Sequence, residues 1–519
     1  MGSVVSRESV SRESVPRKSV WRRSVSVRSV SRAVRWAVPS RRRRVRQRLG
    51  ALVGAVDGVD VSGMSVEELL GRVDRYLCDP TPAKMWITLA VLTARLPREA
   101  DVVEAIRRHR LFGPLCTIEA LLRGSGAWLV PAVDRRVVEV VTAGTLVDVD
   151  HTSTVAFATG IQRVVRETVK RWVRDHDPIL VGWTSDRSAL RRLDPSEIGV
   201  VIGGPAGQHS LRRTAGSVII PFGASYVLPE LNTSEGSMRR LASLARWSGG
   251  RATSIGFDAV PVTSPETTDP GMPAAFANTL GAVAWMDGVA AISAAAAVEY
   301  RGWCRMLEGA GITGPDIVAI PLGQERPEQR PSIPSGIEPK VLCVGSHEPR
   351  KNHLAVLHAA EVLWAEGLEF QLDFVGGNAW QSEAFVRRVD ELVDRGRHIK
   401  RHTAVGDDEL DEMYRRARFS VFPSLNEGYG LPIVESLIRL TPVITSDFGS
   451  LQEVASAGGA LLVDPRDDVA IADAMRRLLT NDALREELSA EAAARSWPTW
   501  DEYAREVWTF AHRDRRAVQ

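Results

Sequence analysis

The chain has 519 residues, 44% of them hydrophobic, which is enough for two to four domains with their own cores. Its 66 Lys/Arg and 64 Asp/Glu nearly cancel, but residues 1–48 hold fifteen basic residues against Glu8 and Glu13, so a tail of +13 precedes a body of −11. A body of that sign repels phosphate backbones on average, which argues against a nucleic-acid-coating protein; four scattered cysteines (Cys78, Cys116, Cys304, Cys343) exclude a disulfide framework or a zinc knuckle and suit a reducing cytoplasm.

The tail repeats every five residues (S-R-E-S-V at 6–10 and 11–15) and ends in R-R-R-R-V-R-Q-R at 41–48. That period matches neither helix nor strand, so 1–48 is expected to be a disordered Arg/Ser-rich tail. It reads either as an electrostatic anchor to an anionic membrane or as a dispensable extension, with Met64 as an alternative start. No apolar h-region accompanies it, so it is not a secretory signal. Arg outnumbers Lys sixty to six, a bias of GC-rich coding typical of some bacteria.

Residues 49–140 are expected to form a helical segment. Ser65 precedes Glu67, Glu68 and an apolar period through Leu77, and further helical runs cover Ala83–Leu96 and Glu99–Leu111. From Thr145 the pattern changes to strands alternating with helices, which means a parallel α/β sheet. T-L-V-D-V-D leads to an amphipathic helix at 159–172; apolar runs follow at Pro178–Trp183, Val200–Ile202, Val218–Phe222, Thr253–Phe257 and Ile317–Pro321. Ala282–Val298, Ala-rich and broken by Asp287, reads as a core helix and not a membrane span. These elements make 141–323 a Rossmann-like domain, and the Pro-rich, polar stretch 324–338 a linker. A second series occupies 339–498, with strands at Lys340–Gly345, Glu369–Val375, Ile399–His402, Phe419–Pro423, Pro442–Thr445 and Ala460–Val463; a last helix lies in 499–519. Two such domains bind ligands in the cleft between them, at the carboxyl ends of the strands.

Three loops of the second domain follow strands. G-S-H-E-P-R-K-N at 345–352 joins a glycine turn at Gly345 to Arg350, Lys351 and a helix start, a set suited to an anion. P-S-L-N-E-G-Y-G-L-P-I-V-E-S-L at 423–437 carries Gly428 and Gly430, which let a ligand approach the backbone, Pro432 at a helix start, and the acids Glu427 and Glu435. Carboxylates suit hydroxyl-rich ligands, since each accepts from two hydroxyls. T-S-D-F-G-S-L-Q-E-V at 445–454 contains Ser450 and Glu453 in a capping-box spacing.

E-G-Y-G-L-P-I-V-E resembles the E-x7-E signature of retaining family 4 glycosyltransferases of GT-B fold. E-P-R-K-N, V-G-G, D-E-L-D-E-M-Y-R-R-A, P-V-I-T-S-D and A-L-L-V-D-P match in order, covering about 340–480; T-G-I-Q-R-V, V-L-P-E-L, G-F-D-A-V-P and M-D-G-V-A-A-I-S match in the first domain. The resemblance implies a nucleotide-diphosphate sugar donor, a glycan or lipid-linked acceptor, and transfer with retention and without a metal or other cofactor. It implies that Lys351 and Arg350 neutralise the diphosphate, that Glu427 holds sugar hydroxyls and Glu435 the ribose, and that Gly428, Tyr429, Gly430 and Leu431 approach the donor. Gly345 and Ser346 face it too; many relatives have Arg where Ser346 stands, which leaves the clamp to Arg350 and Lys351. In the first domain Gly160 and Arg163 match the phosphate-facing loop, and Asp258 an acceptor-side position. E-P-R-K-N types resemble mannosyl and other hexosyl transferases of cell-surface polysaccharide assembly, placing GDP-mannose ahead of UDP-sugars. Such an enzyme would be cytoplasmic, at the inner face of the plasma membrane where the tail makes contact.

Three rivals remain at this level. D-V-D at 148–150 resembles the metal-binding D-x-D of the other major glycosyltransferase fold. Two Rossmann-like halves also suit a nicotinamide dehydrogenase, although G-G-P-A-G at 203–207 has the wrong spacing. The third is a non-catalytic interaction protein, against which intact Glu427, Glu435 and Lys351 argue.

Overall fold

The computed structural model describes residues 26–35, 39–123, 136–155, 160–203, 217–325 and 338–513. The first sheet contains β1 (Val137–Val141), β2 (Thr145–Asp148), β3 (Ile179–Trp183), β4 (Leu190–Arg192), β5 (Ser217–Pro221), β6 (Ser225–Leu228), β7 (Ala252–Gly256), β8 (Gly288–Ala291) and β9 (Asp316–Ala319). Their order is β1-β5-β4-β3-β2-β6-β7-β8-β9, parallel except for β4, which runs antiparallel to β3 and β5. The second sheet contains β10 (Lys340–Val344), β11 (Gln371–Val375), β12 (Ile399–His402), β13 (Phe419–Phe422), β14 (Val443–Ser446) and β15 (Ala460–Val463), in the order β12-β11-β10-β13-β14-β15 and wholly parallel.

Burial explains why these segments are strands. β2, β8, β11, β13 and β14 are buried at every residue, as a sheet covered by helices on both faces demands. Strand order reverses between β2 and β6 in one domain and between β10 and β13 in the other. Loops leaving those strand ends diverge and leave a crevice. The helix Trp500–Ala511 returns to the first domain, where Trp172 Nε1 donates to Ala504 O at 2.8 Å.

Four expectations are corrected. Within 1–48, residues 1–25 lie outside the described ones, but Val27–Arg35 and Pro39–Asp57 are helices. Arginines hide an apolar stripe in the second of these: Val45, Leu49, Leu52 and Val53 recur at helical spacing and are almost fully buried. Arg48 is also buried, its guanidinium donating to Leu92 O at 3.0 Å and to Arg136 O at 3.2 Å. A chain starting at Met64 would lose this packing, which argues against reading the Pro39–Asp57 helix as part of a dispensable extension. Leu52→Ala is expected to cost about 2–5 kcal/mol, read as a lower midpoint in chemical denaturation; an unchanged midpoint would refute the packing argument.

The helical segment also ends earlier than 140, because Val137–Val141 is β1 and pairs with β5. Val200–Ile202 is not a strand. Asp194 caps a helix over Pro195–Val201, accepting from Glu197 N at 2.9 Å, while Glu197 reaches back to Asp194 N at 3.0 Å. Ala282–Val298 is not one helix either. Met272–Val283 is a helix, Gly288–Ala291 is β8, and a new helix covers Ala294–Gly309. Asp287 makes the break by accepting from Ala252 N at 2.8 Å, which docks the chain beside β7. The 324–338 linker falls mostly outside the described residues. Among the described residues, no helix is long and apolar enough to cross a membrane.

Candidate active site

The second domain's switch point lies between the loops that leave β10 and β13. After Val344 the chain turns through Gly345 and the half-buried Ser346 into a 3-10 turn at Pro349–Lys351, then enters the helix His353–Ala365. Asn352, at φ 58°, ties the loops together: its Nδ2 donates to Pro423 O at 3.2 Å and to Pro465 O at 2.6 Å. Leu425 N donates to Arg350 O at 2.9 Å.

These ties bring two cations onto one carboxylate. Lys351 Nζ lies 2.6 Å from Glu427 Oε1, and Arg350 Nη1 lies 2.6 Å from Glu427 Oε2. Ser424 Oγ donates to Glu427 Oε1 at 2.8 Å. Arg350 also pairs with Glu348 at 2.6 Å and donates to Asn426 O at 2.8 Å. Burial would raise the Glu427 carboxyl, but Arg350 and Lys351 prevail and hold it at about 2. Arg350, desolvated but beside Glu427 and Glu348, is held above its ordinary range.

The glycines after Glu427 answer to steric need. A Cβ on Gly428 would lie 2.9 Å from Asp258 Oδ2 and 3.1 Å from Ile292 Cδ1, both in the first domain. Gly430 takes φ +101° to start the helix Leu431–Leu437. Ser293 Oγ donates to Gly428 O at 2.7 Å, and Tyr429 OH to Leu322 O at 3.2 Å. Asp258, just beyond β7, accepts from Val260 N at 3.2 Å, and burial pushes its carboxyl up.

Glu435 is one turn further and buried. It is paired with Arg163 of the first domain and accepts from Tyr414 OH at 3.1 Å. Gly160 opens the helix that carries Arg163, and a Cβ there would stand 3.6 Å from Leu431 Cδ1. The sequence-derived residues thus form two groups. Arg350, Lys351, Glu427, Gly428 and Asp258 share one; Glu435, Arg163, Gly160 and Leu431 share the other. A Cβ on Gly345 would rest 3.5 Å from the Lys351 stem.

The third loop departs from expectation. Ser450 and Glu453 do not form a capping box, and the helix Gly449–Ala455 has no side-chain cap at Phe448. Ser450 Oγ instead donates to Glu427 O at 2.7 Å. Glu453 accepts from Ala294 N and Ala295 N, each at 2.9 Å, and so caps a helix of the other domain. Ser424, Glu348 and Tyr414 were given no role from sequence, and Glu453 was read only as half of a capping box. All of the first three lie inside the matched runs, Glu348 in E-P-R-K-N, Ser424 in P-S-L-N-E-G and Tyr414 in D-E-L-D-E-M-Y-R-R-A, and that membership was their signal.

The D-V-D acids are engaged. Asp148 accepts from Tyr226 OH at 2.5 Å and Trp183 Nε1 at 2.8 Å; Asp150 accepts from Trp183 N at 2.8 Å and pairs with Arg187. Burial, with Asp150 nearby, raises Asp148 to about 6, and burial beside Asp148 raises Glu230 to about 8. Glu230 holds the β2 loop by accepting from His151 N at 2.7 Å and Thr152 N at 2.9 Å. Among the described residues, no group of three or more His, Cys, Asp and Glu is placed to hold a metal. His347 bonds Asn378 at 2.9 Å and His402 bonds Asp373 at 2.8 Å.

Residues 325–495 match the family described as glycosyl transferases group 1. The serotype-specific mannosyltransferase WbdA of Escherichia coli is 28% identical over 383 residues, covering 69% of this chain and 44% of that protein. The O-antigen chain mannosyltransferase B of Escherichia coli is 35% identical over 159 residues, covering 30% of this chain and 40% of that protein. The chain therefore spans less than half the length of these relatives. Among solved structures, sucrose-phosphate synthase from Thermosynechococcus elongatus aligns with a TM-score of 0.51 at 18% identity, covering 71% of this chain and 98% of that one. The chain has the GT-B fold, and its second domain carries the group 1 glycosyltransferase resemblance.

Proposed function

We propose that this chain is a retaining, metal-independent glycosyltransferase that moves a hexose, mannose by preference, from a nucleotide-diphosphate sugar to a glycan or lipid-linked acceptor. The observation that carries this reading is the Lys351–Glu427–Arg350 cluster at the switch point of the second domain. In this reading the diphosphate lies against Arg350 and Lys351, which offset the charge that grows as the sugar departs. Sugar hydroxyls donate to Glu427, and the ribose hydroxyls replace Arg163 at Glu435, freeing that guanidinium for the phosphates. As the bond from the anomeric carbon to the diphosphate oxygen breaks, that carbon acquires oxocarbenium character, and the acceptor hydroxyl attacks from the leaving-group face, beside Asp258, its proton passing to the departing diphosphate oxygen. No carboxylate nucleophile and no resident cofactor take part.

The metal-dependent alternative would need Asp148 and Asp150, whose oxygens already serve Tyr226, Trp183 and Arg187. The matched relatives' names support mannose and, through the term O-antigen chain, polysaccharide assembly; in this reading the donor is GDP-mannose and the enzyme works at the cytoplasmic face of the bacterial plasma membrane. A dehydrogenase or a non-catalytic role would leave the cation–carboxylate cluster without a use.

A thermal-shift screen against GDP-, UDP- and dTDP-sugars tests the donor, since a ligand of the native state raises the melting temperature. GDP-mannose is expected to give the largest shift, and EDTA to leave transfer unchanged. Glu435→Ala is expected to weaken nucleotide binding roughly 10- to 100-fold, the loss of one or two charge-assisted hydrogen bonds. Abolition of activity by EDTA, or an inverted product, would overturn the mechanism.

A further inference from the structure

The helix Pro39–Asp57 leaves an unfilled hollow beside it. Its buried stripe packs inward, and Gln47 Nε2 donates to Val138 O at 2.7 Å, fastening the helix along β1 at the sheet edge. Beside that contact an open groove of about 700 Å³ runs between this helix, the Val61 turn and the end of β1, with Gln47 in its lining. That volume is in the range of small-molecule sites. Ala51, Gly54, Ala55, Val61, Leu69 and Val140 make its apolar floor, and Arg43 and Arg46 stand at one end. No acid lines it.

The charge at that end is one-sided. Residues 26–48 contain nine arginines and no Asp or Glu. Arg42, Arg43 and Arg46 are exposed. Arg46 donates to Ser62 O at 2.9 Å, while Arg42 and Arg43 form no hydrogen bond or ion pair with the other described residues. Gln47, Ser62 and Thr142 add neutral polar groups to the lining. A slot with a mainly apolar floor and a cationic mouth complements one chemistry well, an acyl chain ending in an anionic phosphodiester.

We propose that this groove docks an anionic bilayer phospholipid, with its phosphate against Arg43 and Arg46, the neighbouring exposed Arg42 adding to the positive field at the mouth, and an acyl chain along Gly54 and Ala55. The helix is anchored in the core by Leu49 and Leu52, so it presents a formed site instead of inserting as a free amphipathic segment. The site lies at the β1 edge of the first sheet, away from the donor cleft, and does not depend on the transferase reading.

The test is flotation of the full chain with vesicles of phosphatidylcholine alone or mixed with phosphatidylglycerol. Recovery is expected only with the anionic mixture. Arg42→Glu with Arg43→Glu is expected to lower partitioning at low salt roughly 30-fold or more, since each basic residue near an anionic surface contributes about a factor of five. Gly54→Leu tests the slot separately. A Cβ at Gly54 meets only Val59 O, at 3.8 Å, and Leu favours helix, so the variant is expected to fold. It should fill the groove and lower partitioning roughly tenfold, the loss of about two buried methylenes. Equal recovery on both vesicle types overturns the proposal. So does wild-type partitioning of Gly54→Leu, which would leave only diffuse surface attraction. A lower melting temperature of that variant with unchanged flotation would assign the groove to another part of the chain, and overturns it too.

Discussion

Lys351→Ala is expected to lose roughly 100- to 1000-fold in the rate of transfer from a nucleotide-diphosphate sugar, the scale seen when one preorganised electrostatic stabiliser is removed. Two features set that size. The family resemblance leads one to expect an arginine where Ser346 stands, and Arg350 and Lys351 are the Lys/Arg residues of this loop. Arg350 is further committed, to Glu348 and to Asn426 O, whereas among the described residues the Lys351 ammonium hydrogen-bonds to Glu427 alone. Its stem lies beside Gly345, and its ammonium stands 5.1 Å from the centre of the Phe422 ring. Lys351→Met keeps that packing and removes the charge. Both variants should lose kcat with little change in donor KM, because the charge being offset grows as the leaving group departs. Wild-type kcat in Lys351→Met would remove the residue from the phosphate assignment.

The second domain was legible because its physics is local. Strands such as Phe419–Phe422 are buried on both faces, so they read as apolar runs, and the loops at their carboxyl ends carry glycines, Pro432 and the acids of a known pattern. The first domain hid its elements for equally physical reasons. Gly288–Ala291 has the composition of the helices around it and becomes a strand only because Asp287 docks the chain on β7. Arginines concealed the stripe of Val45, Leu49 and Leu52, because net charge reports the whole segment while burial depends on one face of it.

Contacts between the domains were beyond reach. Arg163 and Glu435 are 272 positions apart, and Glu453 caps a helix that starts 159 residues earlier. Glu453 had a sufficient local use, the capping box, and tertiary structure gave it another. Ser450 was released by the same exchange to hold the carbonyl of Glu427. The candidate residues were therefore readable one by one, but not their grouping: Asp258 against Gly428, and Arg163 on the carboxylate assigned to the ribose.

That grouping sets the expected behaviour of Glu427→Gln. In the folded chain the Glu427 carboxyl lies at about 2 against an ordinary 4.5, because Arg350 and Lys351 outweigh the burial that would raise it. A depressed carboxyl adds stability above its unfolded value and loses it as pH falls through the folded one. Wild-type protein should therefore keep this contribution from neutral pH down to about 4.5 and shed it toward pH 2. The glutamine variant lacks it throughout and leaves two cations facing an uncharged amide. At pH 7 the difference is expected to be about 3 kcal/mol, in the range for breaking a buried ion pair from one side. It should shrink steadily below about pH 4.5. Melting curves of both proteins across that range decide the matter, and a difference that stays constant into acid would deny the cluster its charge. The same ionisation fixes the kinetic expectation. Glu427 stays charged wherever the fold survives, so it contributes no acid limb to the pH profile, and glutamine should depress transfer by a similar factor from about pH 5 upward.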